Sequence, residues 1–218
     1  MPEPNEISAN PWRNELAQRN YISELICFSN ENDLILYSDV DEIPSPEAIT
    51  EACNATTSEY FGFEMSTHYF RFNYFQVSPK VLARSICTVG FFKSALETHS
   101  AEELRHGIRD GSITADVFRS GGWHFSYMMD EEMIKKKIDS FSHQEFNTPE
   151  VISNIQIERI LDNKEDLFSR PGYQWDLYPM KNLPDEIRKH QFKYAKCLIL
   201  PKYRRIANTV LSIFWDYR

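Results

Sequence analysis

Glycine is scarce in this chain, with seven in 218 residues, and neither GxGxxG nor GxxxxGKS/T occurs. A nucleotide phosphate would not be cradled by a glycine-rich loop here, so a bound cation would have to carry its charge. Cys27, Cys53, Cys87 and Cys197 are widely scattered, and no CxxC pair exists. That excludes a zinc knuckle or thioredoxin-like redox pair; it fits a reducing compartment in which cysteines are small core residues. No apolar run approaches the ~18 residues of a membrane span, and MPEPNEISANPW lacks the apolar core of a signal peptide. The expectation is a cytoplasmic protein. Positive charge is also short. The formal net charge of -8 argues against the basic footprint of a nucleic-acid binder.

What remains is the balance of an ordinary globule, 42% hydrophobic and 26% charged, long enough for one α/β domain with a full core. Aromatics reach 14%, enough to fill a core and leave some to stack on flat ligands and sugar rings. No repeat, low-complexity tract or boundary divides residues 1–218, so a single domain is expected.

Asn10-Pro11 reads as a helix start, with apolar residues at helical spacing to about Ile26. Leu34 to Tyr37 is an uninterrupted apolar run ending in acid, the pattern of a central strand buried on both faces. Pro44 and Pro46 stop it, and Ser45 to Ala55 predicts a short helix. Tyr60 to Gln76 predicts one or two strands and Val81 to Phe92 a strand pair, while His106 to Thr114 reads as loop. Asp130 opens a helix with acids first and lysines later, burying Ile134, Ile138 and Phe141. Thr148-Pro149-Glu150 starts another, and residues 162–185 read as loop-rich.

Ligands of open α/β sheets bind beyond the carboxyl ends of the strands, where Asp39, Asp41 and Glu42 fall. In an extended chain residues i and i+2 face one side, so Asp39 and Asp41 would share one cation or one ribose, while Glu42 alternates away. Carboxylate oxygens suit Mg²⁺ or Mn²⁺, which would stabilise the charge growing on a departing diphosphate. The alternative is a solvated turn in which Asp41 or Ser45 caps the next helix. Haloacid-dehalogenase-type phosphatases also carry DxD after an apolar strand. They place Thr or Val where Ile43 stands, and no later strand here ends in paired Asp.

Gly121-Gly122 permits close backbone approach, Trp123 offers a flat platform for a sugar or base, and His124 offers a metal ligand. Trp123 as core and His124 as a hydrogen-bonded buried histidine is the competing reading. In Ser142 to Asn147, Glu145 offers a base and His143 a ligand or acid; helix-end capping by the same residues is the alternative.

Four segments, NPWRNELAQRN at 10–20, DLILYSDVDEIPSPEAI at 33–49, GGWHFSYM at 121–128 and FSHQEFNTPE at 141–150, resemble glycosyltransferase family 17 in order and spacing. The family includes β-1,4-mannosyl-glycoprotein 4-β-N-acetylglucosaminyltransferase. The resemblance covers residues 10–200 and implies an α/β, GT-A-like fold with a mixed, mainly parallel sheet flanked by helices. It also implies an inverting mechanism, Mn²⁺ or Mg²⁺, and a UDP-sugar donor such as UDP-GlcNAc. Asp39 and Asp41 map onto the family's metal motif; His124 and His143 fall in matching segments as further metal candidates. Asp39, Asp41, Arg19 and Trp123 are the expected donor-binding residues. The base that takes the acceptor hydroxyl proton is expected at Glu145, with Asp130 and Glu42 behind it, though Asp130 is also placed to cap its helix and Glu42 to alternate away from its Asp neighbours. Members of the family carry roughly another half-sheet ahead of the PWRxE segment, so truncation at the N-terminus is expected, and it favours the alternative to transfer, a non-catalytic glycan- or nucleotide-binding remnant.

The tail, residues 201–218, is basic and aromatic, and Arg188, Lys189, Lys193 and Lys196 precede it. Such a tail suits peripheral contact with an anionic membrane, where lipid-linked acceptors sit. A packed helix with a solvated basic face is the alternative.

Overall fold

The computed structural model describes residues 11–26, 28–55, 58–79 and 84–200. The spine is strand β3 (Tyr60–Tyr69), whose buried residues include Phe61, Phe63 and Met65. Strand β6 (Asp116–Ser126) runs parallel along one edge of β3. Along the other lie, antiparallel, β5 (Arg84–Phe92) and then β4 (Tyr74–Ser78). Outside these sit β1 (Leu34–Tyr37) on β5, β2 (Glu42–Pro44) on β6 and β7 (Gln174–Leu177) on β4.

The protein is mixed α/β, a curled sheet flanked by helices, but the sheet is not mainly parallel. Among the described residues five of the six strand pairings are antiparallel and β3–β6 alone is parallel. Parallel neighbours need a long crossover, and here one such crossover, through β4, β5 and the helix after them, separates β3 from β6. The Leu34–Tyr37 strand is also not central: among the described residues it pairs with β5 only. Its continuous apolar run has another cause. Leu34 and Leu36 pack on the cluster of Phe61, Phe63 and Ala52, whereas Ile35 and Tyr37 pack on that of Val89, Phe91 and Leu104. A strand covered on both faces is apolar throughout even at a sheet edge.

The helices follow their caps. Helix α1 (Pro11–Asn20) leads into one short turn, α2 (Ile22–Leu25). Helix α3 (Pro46–Asn54) is capped by Ser45, whose Oγ accepts from the Ala48 N–H. The segment expected as loop around His106 is instead helix α4 (Ala101–Asp110). Its signal was present: Ser100 and Glu103 form a reciprocal capping box, and Gly111 ends the helix in left-handed conformation. Leu104 and Ile108 of α4 sit in the β1–β5 cluster. Helix α5 (Glu131–Ser140) opens at Asp130 and buries Ile134 and Ile138 as expected. Helix α6 (Pro149–Ser153) opens at Thr148, α7 (Ile157–Asn163) comes next, and α8 (Asp185–Lys189) lies near the end. Of the cysteines, Cys87 is buried, Cys197 half-buried and Cys53 exposed, so core packing accounts for the first alone; Cys27 lies outside the described residues. The 201–218 tail and residues 80–83 lie outside them too. Among the described residues no helix is long and apolar enough to cross a membrane.

The two adjacent glycines serve the sheet. A Cβ on Gly122 would stand 2.2 Å from the Ile43 carbonyl oxygen, and one on Gly121 2.7 Å from the Phe63 Cα. Both obstacles are backbone, and Gly122 also has φ +151. Gly122→Ala is expected to cost about 3 kcal/mol or more, from overpacking plus dihedral strain. Denaturant melts read that loss, and wild-type stability in the variant would contradict the close approach of β2 to β6.

Buried His68 lies among Phe75, Phe125 and Tyr178, with its Nε2 2.7 Å from Ser66 Oγ. Burial, with a further push from the charge on His124, lowers its pKa from 6.5 to about 3. Between those values the unfolded chain holds a proton that the fold does not. Stability from this group is therefore complete above pH 6.5 and declines on acidification toward 3, at up to about 1.4 kcal/mol per pH unit. Denaturant titrations across that window should show a flatter pH slope in His68→Leu than in wild type. An unchanged slope would place the titration elsewhere.

Candidate functional site

The acidic segment is a turn between β1 and β2. The Glu42 N–H donates to the Asp39 carbonyl at 3.0 Å, and Val40 stands at the tip, 98% exposed. In a turn the i, i+2 alternation of an extended chain does not operate. Asp39 and Asp41 accordingly take separate partners.

Asp39 is gripped by Arg105 of α4, with Nη2 2.7 Å from Oδ2 and Nη1 3.3 Å from Oδ1. Arg19 of α1 adds a contact at 3.4 Å. Arg105 is 1% exposed, reaches Glu42 Oε1 at 3.1 Å and lies 5.1 Å from the centre of the Tyr37 ring. Glu42 does not alternate away. Its Oε2 turns back to accept from the Asp39 N–H at 3.0 Å and from the Thr88 hydroxyl at 3.3 Å. Arg19 also pairs with Glu15 and Glu102. The Tyr37 hydroxyl donates to Glu102 at 2.8 Å, and burial together with that carboxylate raises its pKa to about 12.

Asp41 faces two other cations. His124 Nε2 of β6 and Lys137 Nζ of α5 each stand 3.5 Å from its carboxylate. Its own carbonyl accepts from the Phe125 N–H at 2.8 Å, which ties the turn to β6. Burial favours the neutral acid, but the His124 hydrogen bond and the charges of His124 and Lys137 outweigh it and lower the pKa to about 2. Burial likewise opposes charge on His124, yet Asp41 and Cys87, whose Sγ is 4.0 Å from Nδ1, raise it to about 10. Both partners favour the protonated ring.

The two carboxylates differ in fitness for a cation. Asp39 is already bound by two guanidinium groups. Asp41, 23% exposed, has only long contacts to a flexible lysine and an imidazole. Ions such as Mg²⁺ are commonly held by one or two carboxylates plus substrate phosphates, and of the two Asp41 is the carboxylate that could serve in that way. His124 can join it only by releasing its proton. Among the described residues no group of three or more His, Cys, Asp or Glu forms a closed metal cage.

Successive side chains on a strand point to opposite faces, so Trp123 leaves β6 on the side away from His124. Its indole N–H donates to the Asn182 carbonyl at 3.0 Å. His143 Nδ1 and Glu145 Oε1 pair at 2.7 Å on the surface, and the Trp12 ring of α1 meets the His143 ring edge-on, 4.7 Å between centres. That bond lowers the Glu145 pKa, keeping it ionised. No hydrogen bond or ion pair joins His143 or Glu145 to Asp39 or Asp41 among the described residues. Asp130 accepts from the Met133 N–H at 2.9 Å as the cap of α5. Arg105 and Lys137 were missed as site residues. Arg105 stands just ahead of the segment that reads as loop, and the Ser100–Glu103 box is the signal that places it on a helix; Lys137 reads in the sequence only as helix-dipole charge.

The protein is of the mixed α/β class: a helix-flanked sheet carries an acidic turn at the exit of β1, and cations from α1, α4, β6 and α5 converge on it. The family model of glycosyltransferase family 17 matches residues 2–207, and the chain belongs to that family. Comparisons with curated proteins and with solved structures each give no match.

Proposed function

We propose that this glycosyltransferase moves a sugar from a nucleoside-diphosphate donor, with UDP-GlcNAc the expected one, to a hydroxyl of a glycan or lipid-linked acceptor, inverting the anomeric carbon. The observation that carries the reading is Asp41: an ionised, partly open carboxylate at a strand exit, beside His124 and Lys137. Mn²⁺ or Mg²⁺ held there by Asp41, with His124 as second ligand, would neutralise charge on the leaving diphosphate. Lys137 is one-third exposed, its bonds to Asp41 and Ser126 Oγ are long at 3.5 and 3.4 Å, and it lies over the Tyr127 ring, so it can exchange Asp41 for a phosphate oxygen. Arg19, less exposed, adds positive charge on the Asp39 side. Asp39, fixed by Arg105, shapes the turn and offers its remaining acceptor capacity to a ribose hydroxyl. Glu145 is ionised and orients His143, and this pair is the candidate acceptor of the hydroxyl proton.

The engagement of both Asp39 and Asp41 by protein cations favours a second reading, glycan binding without transfer. Incubation with UDP-GlcNAc and an acceptor panel, with Mn²⁺ or with a chelator, separates the two. Metal-dependent release of UDP is expected. Glycan binding without any UDP binding or release would replace transfer with the second reading.

A further inference from the structure

On the Trp123 side of β6 lies a cavity of about 370 Å³. Trp123, Glu47, Glu64, Ser66, Arg119 and Tyr178 line it. They come from four places: the first turn of α3, β3, β6 and the segment after β7. His124 and Asp41 are not among its lining residues, and β6 itself stands between them and the cavity.

The lining has a definite chemistry. Two carboxylates and one guanidinium leave one net negative charge, which repels a diphosphate. Among the described residues, Glu47, Glu64 and Arg119 make no ion pair and no side-chain hydrogen bond, so their capacity is open to a ligand. Carboxylates accept from vicinal hydroxyls, a guanidinium donates to ring and amide oxygens, and an indole face covers the C–H face of a pyranose. The Trp123 ring is fixed by its bond to Asn182, which lowers the entropy lost on stacking. The volume falls within the range of small-ligand sites. Each element points to an uncharged, hydroxyl-rich ring, not to a nucleotide.

We propose that this cavity is a glycan subsite seating one neutral sugar residue, a hexose or N-acetylhexosamine, away from the bond being formed. Its role as an acceptor subsite rests on the transfer reading above; its capacity to bind sugar does not. This reassigns Trp123 from the donor to the glycan.

The probes are methyl glycosides of glucose, mannose and N-acetylglucosamine, and chitotriose, followed by saturation-transfer NMR and calorimetry on the whole chain. Wild type is expected to bind at least one of them. Trp123→Ala and Glu64→Gln are each expected to weaken that binding ten-fold or more. Glu64→Gln keeps shape and removes only charge, and thermal melts verify its fold. UDP with Mn²⁺ should neither compete with the sugar nor lose affinity in Glu64→Gln. The proposal is overturned if wild type binds none of these sugars, if both folded variants bind like wild type, or if UDP displaces the sugar. Sugar binding that persists in a chain with no affinity for UDP would sink the transfer reading and leave the subsite standing.

Discussion

Replacing Arg105 by methionine is expected to destabilise the protein by about 3–5 kcal/mol, the usual consequence of removing one partner from a buried ion pair. The volume is nearly conserved, so the loss is electrostatic. Glu42, with its side chain 3% exposed, would keep its charge without a guanidinium. Asp39, 40% exposed and still near Arg19, suffers less because solvent screens it. At this chain length the melting temperature should fall by roughly 6–20 °C. Adding Glu42→Gln to Arg105→Met should recover part of the loss, since the stranded charge is then gone. A single variant as stable as wild type would show that the Arg105 fork does not hold the turn. Arg105→Lys should fail nearly as badly, because an ammonium cannot bridge two carboxylates with a planar fork.

Asp41→Asn is expected to cut Mn²⁺-dependent UDP binding by about 100-fold or more, because even outer-shell partners of a metal are worth 10–100-fold. The fold should persist. The Asp41 backbone carbonyl still accepts from Phe125, and the lost side-chain contacts are long and partly solvated. Asp39→Asn tests the division of labour: it should disturb stability through Arg105 more than it disturbs the metal. Calorimetric titration of Mn²⁺ and UDP into both variants reads the difference. If Asp39→Asn abolished metal binding and Asp41→Asn did not, the assignment would be reversed.

Much of this protein is written in short stretches of chain. Ser45-Pro46, Asp130 with its following acids, and Thr148-Pro149 each start a helix where the local chemistry says one should start. Ser100 and Glu103 say the same for α4. Strand order was not legible in this way. The apolar run at Leu34 looks the same at the centre of a sheet as at an edge covered on both faces, because periodicity reports burial and not neighbours.

The candidate site divides along the same line. Family membership and the acidic cluster from Asp39 to Glu42 at the exit of an apolar strand follow from short stretches of chain, since such motifs are local; that the cluster is a turn and not an extended strand end does not. Which cation each carboxylate meets does not. Arg105 reaches Asp39 from 66 positions further on, and Lys137 reaches Asp41 from 96. Only the folded chain, by bringing α4 and α5 to one turn, gives two acids two positions apart different partners: a guanidinium fork at Asp39 and longer contacts to His124 and Lys137 at Asp41. The same holds for Trp123 and His124. They are neighbours in sequence, and the pleat of β6 sends them to opposite sides, one to the acidic turn and one to the cavity.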